Sequence, residues 1–549
     1  MLASLLTSAV ACVLAQPVTT VGVNKPLNQA HGAIAESSNW EATSTHAQVV
    51  ALLDQLAKDA PSVARRVSMG TSVEGRDLPV IILSDPPVAT AAEAKALADK
   101  EGRVIVFLFG NIHAGEVDAK EAYLILARQL IEAHATAKMA ASGPAAPDAD
   151  LLTKLIVCIA PIYNADGNDR FGPPEKNRPQ QDGPIKGMGQ RHNAMDLDLN
   201  RDWGKLESPE ARGIVKFLSE WDPHVVVDGH TTDGSYHRNL MTYAVPKCLA
   251  GDERLNEFAR GWLPRIGASL RGRTDIDTFW YGDFEGEHEN PPRTHEVWST
   301  PPAMPRYSTH YIGMRGRIGI LSESYSYSTY KARIVGSLEF AREILRASTK
   351  DAAEIRVITR QASEAGAGFG GLLREVVIRT KESSAGRAIV KGWLEETIDG
   401  RARATKEPKD YDCVLMDRVE GTQSVKRPAY YAFTTNVPGV IENLRMHGVA
   451  IETLEKDTKA RAEVYTIDSA KSAANKWQGH VLVSVEATPT PQTITLPQGT
   501  VIVRTNQPLG NLVCYWLEPE CEDGLATWNF FDEWCVPGKV FPVVRVMRD

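Results

Sequence analysis

Residues 104–116 read Val-Ile-Val-Phe-Leu-Phe-Gly-Asn-Ile-His-Ala-Gly-Glu, an apolar run that ends in a turn carrying His113 and, three residues on, Glu116. Imidazole nitrogen and carboxylate oxygen are both zinc ligands, and a catalytic zinc needs three protein ligands with a fourth position open to water. His-x-x-Glu alone is a weak signal, because a surface histidine next to a glutamate favoured by a helix dipole reads the same way. A third ligand is on offer in Val225-Val-Val-Asp-Gly-His230-Thr-Thr, where a second apolar run ends at a histidine. Two strand-end histidines in one domain, one of them with a glutamate three residues on, tilt the reading toward zinc held by His113, Glu116 and His230. Between them lies Gly189-Gln-Arg191-His-Asn-Ala-Met-Asp-Leu-Asp198-Leu-Asn200-Arg201. Arginine gives a carboxylate two parallel hydrogen bonds and a neighbouring asparagine adds a donor, so Asn200 and Arg201 form a fork for an acid group. A loop with surface ion pairs is the plainer reading of the same stretch.

These groups need elements to hold them. Residues 78–83 and 104–109 read as strands, and 155–159, 225–227 and 318–321 are short apolar runs of the kind found in strands buried on both faces. Residues 48–58, 116–134 and 331–345 carry apolar positions at helical spacing. Strands alternating with helices predict an α/β domain over residues 40–350 with a mixed, largely parallel central sheet flanked by helices, and open sheets of this kind place their sites at the carboxyl ends of the strands. Residues 136–147 and 171–188 read as loops, rich in Gly and Pro. After residue 370 short strand-like runs dominate, which predicts a mostly β accessory region over 370–549, with the polar stretch 385–403 as a connection.

Composition narrows the class. The chain of 549 residues carries 61 Lys and Arg against 69 Asp and Glu, a net charge of −8, which argues against a nucleic-acid partner. No apolar run is long enough to cross a membrane beyond the N-terminus. Residues 1–15 form a short apolar stretch ending in small residues, the shape of a signal peptide without the usual leading basic residue, and export to a periplasmic or extracellular compartment is the expectation. The seven cysteines show no Cys-x-x-Cys pair; Cys514, Cys521 and Cys535 are equally readable as one disulfide plus a thiol or as three buried thiols. The aromatic and acidic residues of 517–534 lack EF-hand spacing and read as a packed aromatic edge between domains. Neither His-Glu-x-x-His nor Gly-x-Ser-x-Gly occurs.

Taken together, His113-x-x-Glu116, the 191–201 stretch, His230-Thr-Thr and the later Glu323 in Gly319-Ile-Leu-Ser-Glu323-Ser-Tyr resemble, in order, the motifs of the M14 zinc carboxypeptidases. Pro161-Ile-Tyr-Asn-Ala165-Asp-Gly167 and Gly70-x-Ser72-x-x-Gly75-Arg76 are similar to two further segments of that family, and the resemblance covers roughly residues 45–350. It implies one Zn2+ per chain on His113, Glu116 and His230, and Asn200 and Arg201 on the terminal carboxylate of a peptide substrate. It implies Arg191 as the oxyanion stabiliser, Asp198 as the carboxylate orienting a ligating histidine, and Glu323 as catalytic acid–base. Gly115 stands where some members carry an arginine, Ala165 where proline is usual, Arg178 in the 171–188 loop rivals Arg191, and the family's mobile tyrosine has two candidates, Tyr307 and Tyr311. Two other functions compete: a zinc amidohydrolase acting on acyl-amino acids or cell-wall peptides, and a binding protein with a degenerate site.

Overall fold

The computed structural model describes residues 32–139, 148–232, 234–285, 294–368, 375–398 and 401–547. The expected signal segment 1–15 and residues 140–147 of the expected 136–147 loop lie outside the described residues, while 136–139 continue the helix that ends at Met139. Eight strands build the central sheet: β1 (Ala64–Thr71), β2 (Asp77–Leu83), β3 (Val104–Gly110), β4 (Leu155–Ala160), β5 (Val225–Thr231), β6 (Met241–Ala244), β7 (Thr278–Trp280) and, after the short β8 (Asp283–Phe284) and β9 (Val297–Ser299), β10 (Ile318–Ser324). Their spatial order is β1-β2-β4-β3-β5-β10-β6-β7. The four central strands β4, β3, β5 and β10 run parallel, while β2 and β6 pair antiparallel at their flanks. This is the mixed, largely parallel sheet expected of the sequence, and β3, β4, β5 and β10 are buried along their whole length.

Alternation along the strands sorts side chains onto two faces. On one, Phe107 meets Phe217 of the helix Pro209–Trp221, with ring centroids 4.8 Å apart. On the other, Gly110 and Gly229, register partners across β3 and β5, face the helix Asp118–Met139. A Cβ on Gly229 would lie 2.4 Å from the Cβ of Ala119, so only glycine lets that helix come this close. Thr231 and Ser324 share this face; their hydroxyls donate to Asp118 Oδ2 at 2.6 and 2.9 Å. Asp228 and His230 of β5, with Leu321 and Glu323 of β10, occupy the opposite face, and the β5–β10 register sets Glu323 beside His230.

Asp118 is fully buried and its charge is met by Arg333, equally buried, whose Nε donates to Asp118 Oδ2 at 2.8 Å. The remaining arginine nitrogens donate to the carbonyls of Asp182, Gly183, Ser326 and Ser328. The helix Tyr330–Lys350, capped by the Thr329 hydroxyl on Ala332 N, thereby ties the 171–188 loop to the strand ends. The helix expected from Glu116 starts at Asp118; Glu116 itself sits in the turn ahead of it.

Beyond the central domain, β11 (Glu375–Ser383) and β14 (Arg418–Lys426) pair with each other. The strands β12 (Arg387–Ile398) and β13 (Arg401–Met416) form a ribbon whose end joins β9, so a four-stranded sheet is shared between residues before 300 and after 385. Residues 387–398 and 401–403 of the polar stretch 385–403 are thus strand rather than connection. The ribbon buries few side chains, leaves Ile389 54% exposed, and so carries no apolar run to announce it. A six-stranded sheet built around the long pair Thr458–Ser472 and Val483–Leu496 completes the β-rich C-terminal part. All six described cysteines are free and buried. The aromatic edge read at 517–534 packs against the first region: Arg306 lies 4.8 Å from the rings of both Trp477 and Trp528, and its guanidinium pairs with Asp523.

Removing one partner of a buried ion pair strands the other charge, at about 3–5 kcal/mol. Arg333→Met is therefore expected to lower the free energy of unfolding by about that amount, measured by guanidinium denaturation; an unchanged midpoint would mean that the Asp118 clamp does not hold the fold.

Candidate functional site

The turn after β3 is shaped by Asn111, which adopts a positive φ of 63° and donates through Nδ2 to the carbonyls of Ala114 and Glu116. Asn164, from the 161–167 segment, accepts from Gly167 N and donates to the carbonyls of Ile112 and Arg191. Asp166 of the same segment receives the Ser72 hydroxyl at 2.6 Å and Arg76 Nη1 at 2.7 Å. The two flanking motifs of the sequence thus act as scaffold: they hold the His113 turn and the Arg191 loop side by side.

That turn brings His113 and Glu116 to His230 at the end of β5. The Nδ1 atoms of both histidines face the one carboxylate, His113 against Glu116 Oε1 at 2.9 Å and His230 against Oε2 at 2.8 Å. Ligand atoms from the three residues lie within 4.8 Å of one another. Each Nε2 is held from behind by another acid: His113 by Asp198 Oδ1 at 3.0 Å, His230 by Asp228 Oδ2 at 2.9 Å. A carboxylate behind a ligating imidazole fixes its tautomer and raises its basicity. Burial alone would depress the His230 imidazole, but Asp228, Glu323 and Glu116 outweigh it and push it well above its usual value. Burial likewise opposes the charge of Glu116 and Asp198, yet His113 and the arginines beside them hold both carboxyls well below the usual range. The field between the rings favours a cation, and the donor set of two imidazoles and a carboxylate is one that zinc accepts.

A cavity of about 350 Å³ opens on this group, and His113, Glu116, His230, Glu323, Arg191, Asn200 and Arg201 all line it. Arg191 reaches Asp198 Oδ2 at 2.8 Å and Glu116 Oε1 at 3.5 Å. Asn200 N donates to Asp198 Oδ1, its Oδ1 accepts from Ser308 N, and Arg201 lies 4.4 Å over the Tyr307 ring. Of the two tyrosine candidates, Tyr307 lines the cavity. Tyr311 is fully buried, with its hydroxyl 2.7 Å from His447 Nδ1 and its ring against Trp203. Arg178 lies behind Glu116, outside the cavity lining: Nη1 donates to Glu116 Oε1 at 2.8 Å and Nη2 to the carbonyls of Thr231 and Thr232. Its side chain crosses Gly115, where an added Cβ would meet Arg178 Cγ at 2.7 Å, so the glycine makes room for the loop arginine.

Three partners escaped the sequence. Asp228 was legible in principle, since period two along β5 puts it on the face of His230. Ser308, which donates its hydroxyl to Asp228 and its N–H to Asn200, begins a seven-residue helix without a strong pattern. Gln478, whose Oε1 accepts from Asp198 N at 2.9 Å, comes from the C-terminal region and carries no local signal.

Residues 49–234 match the family model described as zinc carboxypeptidase, peptidase M14, a span that holds His113, Glu116, Arg191, Asn200, Arg201 and His230. Carboxypeptidase 2 of Trichophyton tonsurans is 23% identical over 489 residues, covering 86% of this chain and 81% of its own length. Carboxypeptidase D of Mus musculus is 31% identical over 259 residues, covering 42% of this chain and 18% of its own. Among solved structures, carboxypeptidase A from Helicoverpa armigera aligns over 57% of this chain and 74% of its own, at 15% identity and a TM-score of 0.39. With the motifs in order and the His-Glu-His group assembled at the strand ends, residues 49–234 match a peptidase M14 zinc carboxypeptidase domain, and the similarity supports a metallopeptidase, a hydrolase.

Proposed function

We propose that the protein removes residues from the C-terminus of peptides, with one zinc ion on His113, Glu116 and His230 and Glu323 as general acid–base. The observation that carries this reading is the convergence of two imidazole Nδ1 atoms on one buried carboxylate with Glu323 as the register neighbour of His230. Zinc bound there would polarise the scissile carbonyl and lower the pKa of a water molecule. Glu323 faces the cavity and is placed to take a proton from that water and return it to the leaving amine nitrogen. Arg191 borders the same space and supplies positive charge toward an oxyanion, while Asp198 holds both Arg191 and His113 in place. Asn200 and Arg201 present donors for a terminal carboxylate, which selects a chain end over a chain middle. Arg178 fixes the Glu116 carboxylate from the side away from substrate.

Among the described residues no helix is long and apolar enough to cross a membrane.

Glu323→Gln is expected to keep its zinc and lose about 10²–10⁴-fold in kcat, the usual worth of a general acid–base; release of single residues from a mixed peptide library, followed by mass spectrometry, reads this directly. Near-normal turnover would remove Glu323 from the mechanism. Elemental analysis should find zinc in the wild type and none in His113→Ala. Asp198→Ala should weaken metal binding or activity by about 10–100-fold, as loss of a carboxylate behind a ligating histidine does, measured by chelator competition. Turnover confined to acyl-amino acids would turn the reading to an amidohydrolase.

A further inference from the structure

The cavity continues past the metal-binding group. Leu321 lines it two residues before Glu323 on the same face of β10, about 6–7 Å down the strand at the usual rise. On β6, which runs antiparallel to β10, Thr242 sits beside Glu323 and Ala244 beside Leu321. The chain from Thr242 through Ala244 to Lys247 therefore descends away from Glu323, and Ala244, Val245 and Lys247 all line the cavity. Its remote wall carries Lys247, Thr300 and Asp417.

At that wall Lys247 and Asp417 face the cavity as one cation and one anion. Asp417 is satisfied by others: Arg260 Nη1 donates to Oδ2 at 2.5 Å and the Thr300 hydroxyl to Oδ1 at 2.9 Å. Lys247 stands 4.0 Å from Asp417, and its hydrogen bond among the described residues is to Thr300 Oγ1, at 2.5 Å. An ammonium has three donors, and one is engaged. The other groups acting on Lys247 are His310, which burial holds in the neutral form, the exposed Glu382, and Arg260. Asp417 binds Arg260 at 2.5 Å and lies 4.0 Å from Lys247, so the ammonium is only loosely paired. Burial draws the Lys247 ammonium down to about 8, so it is still charged at neutral pH and gains from a second anion.

We propose that Lys247 is a specificity residue that selects an acidic side chain, glutamate or aspartate, at the C-terminal position of the substrate. The inference rests on the carboxypeptidase reading: Asn200 and Arg201 hold the main-chain carboxylate, Glu323 and the metal-binding group face the scissile bond, and the terminal side chain extends down the cavity toward Lys247. Asp417 and Thr300 hold the ammonium in place, and Asp417 is supplied from the end of β13, so the β-rich region contributes to substrate choice.

The test uses the zinc-loaded full chain and peptides differing only in the last residue: Glu, Gln, Leu or Lys. Glu over Gln isolates the charge at nearly constant shape, and kcat/KM should favour Glu by about tenfold to a hundredfold, the range of a hydrogen bond to a charged group. Lys247→Met should erase that ratio and raise relative activity on Leu. Equal rates for Glu and Gln in the wild type, or preference for Lys, would overturn the proposal without touching the carboxypeptidase reading. If no peptide is cleaved, that reading fails on its own. Equilibrium binding of N-acetyl-glutamate against N-acetyl-glutamine, by calorimetry, then decides the role of Lys247: tighter binding of the glutamate supports it, equal binding overturns it.

Discussion

The carboxylate of Asp118 is the node on which the site depends. A buried anion needs a paired charge and hydrogen bonds, and Asp118 Oδ2 gathers Arg333, Thr231 and Ser324 at once. Those contacts lock the carboxyl ends of β5 and β10 to the first turn of the helix that follows Glu116. The cavity-facing residues His230 and Glu323 each lie one residue before these anchors, on the opposite face of the sheet. Because strands alternate faces, fixing Thr231 and Ser324 on one side fixes His230 and Glu323 on the other. Arg333 also gathers carbonyls of the 182–183 and 326–328 segments, so the loop that delivers Arg178 to Glu116 is held by the same guanidinium.

Charge in the cavity is arranged in two separate groups. Near the metal-binding residues, Glu116, Asp198 and Asp228 surround two imidazoles and are balanced by Arg178 and Arg191. At the far wall Asp417 pairs closely with Arg260 and only loosely with Lys247. The apolar span between them, with Leu321, Ala244 and Val245 among its lining, keeps the two groups apart, the separation on which the proposed reading of a terminal side chain rests.

The C-terminal region is part of the same construction. β13 extends the sheet of β9, Asp417 at its end enters the cavity wall, and Gln478 accepts from the backbone of Asp198. Arg306, 4.8 Å from the rings of both Trp477 and Trp528, and His447, bonded to Tyr311 and to the carbonyl of Gly204, add further contacts across the boundary. Local change in either part is therefore felt in the other.

Much of the site was legible in the sequence because its chemistry is local: a histidine at the end of an apolar strand, a glutamate three residues later, an asparagine beside an arginine. The largely parallel run of the central strands follows from the alternation of strands and helices, and the apolar runs at 104–109 and 225–227 marked β3 and β5 to within a few residues. What the sequence does not contain is the partner of a long-range contact. Nothing at Arg178 says whether it faces substrate or the back of Glu116; the missing side chain at Gly115 decides it. Tyr307 and Tyr311 are four residues apart on one short segment, and only packing against Trp203 sends the second into the core. The ribbon of β12 and β13 buries too little to show a pattern, yet it carries Asp417 to the cavity. Sequence by itself determined which residues can bind metal and move protons, since those properties belong to the side chains. Tertiary structure decided which charges are matched and which remain open to a ligand, because that depends on distances between segments hundreds of residues apart.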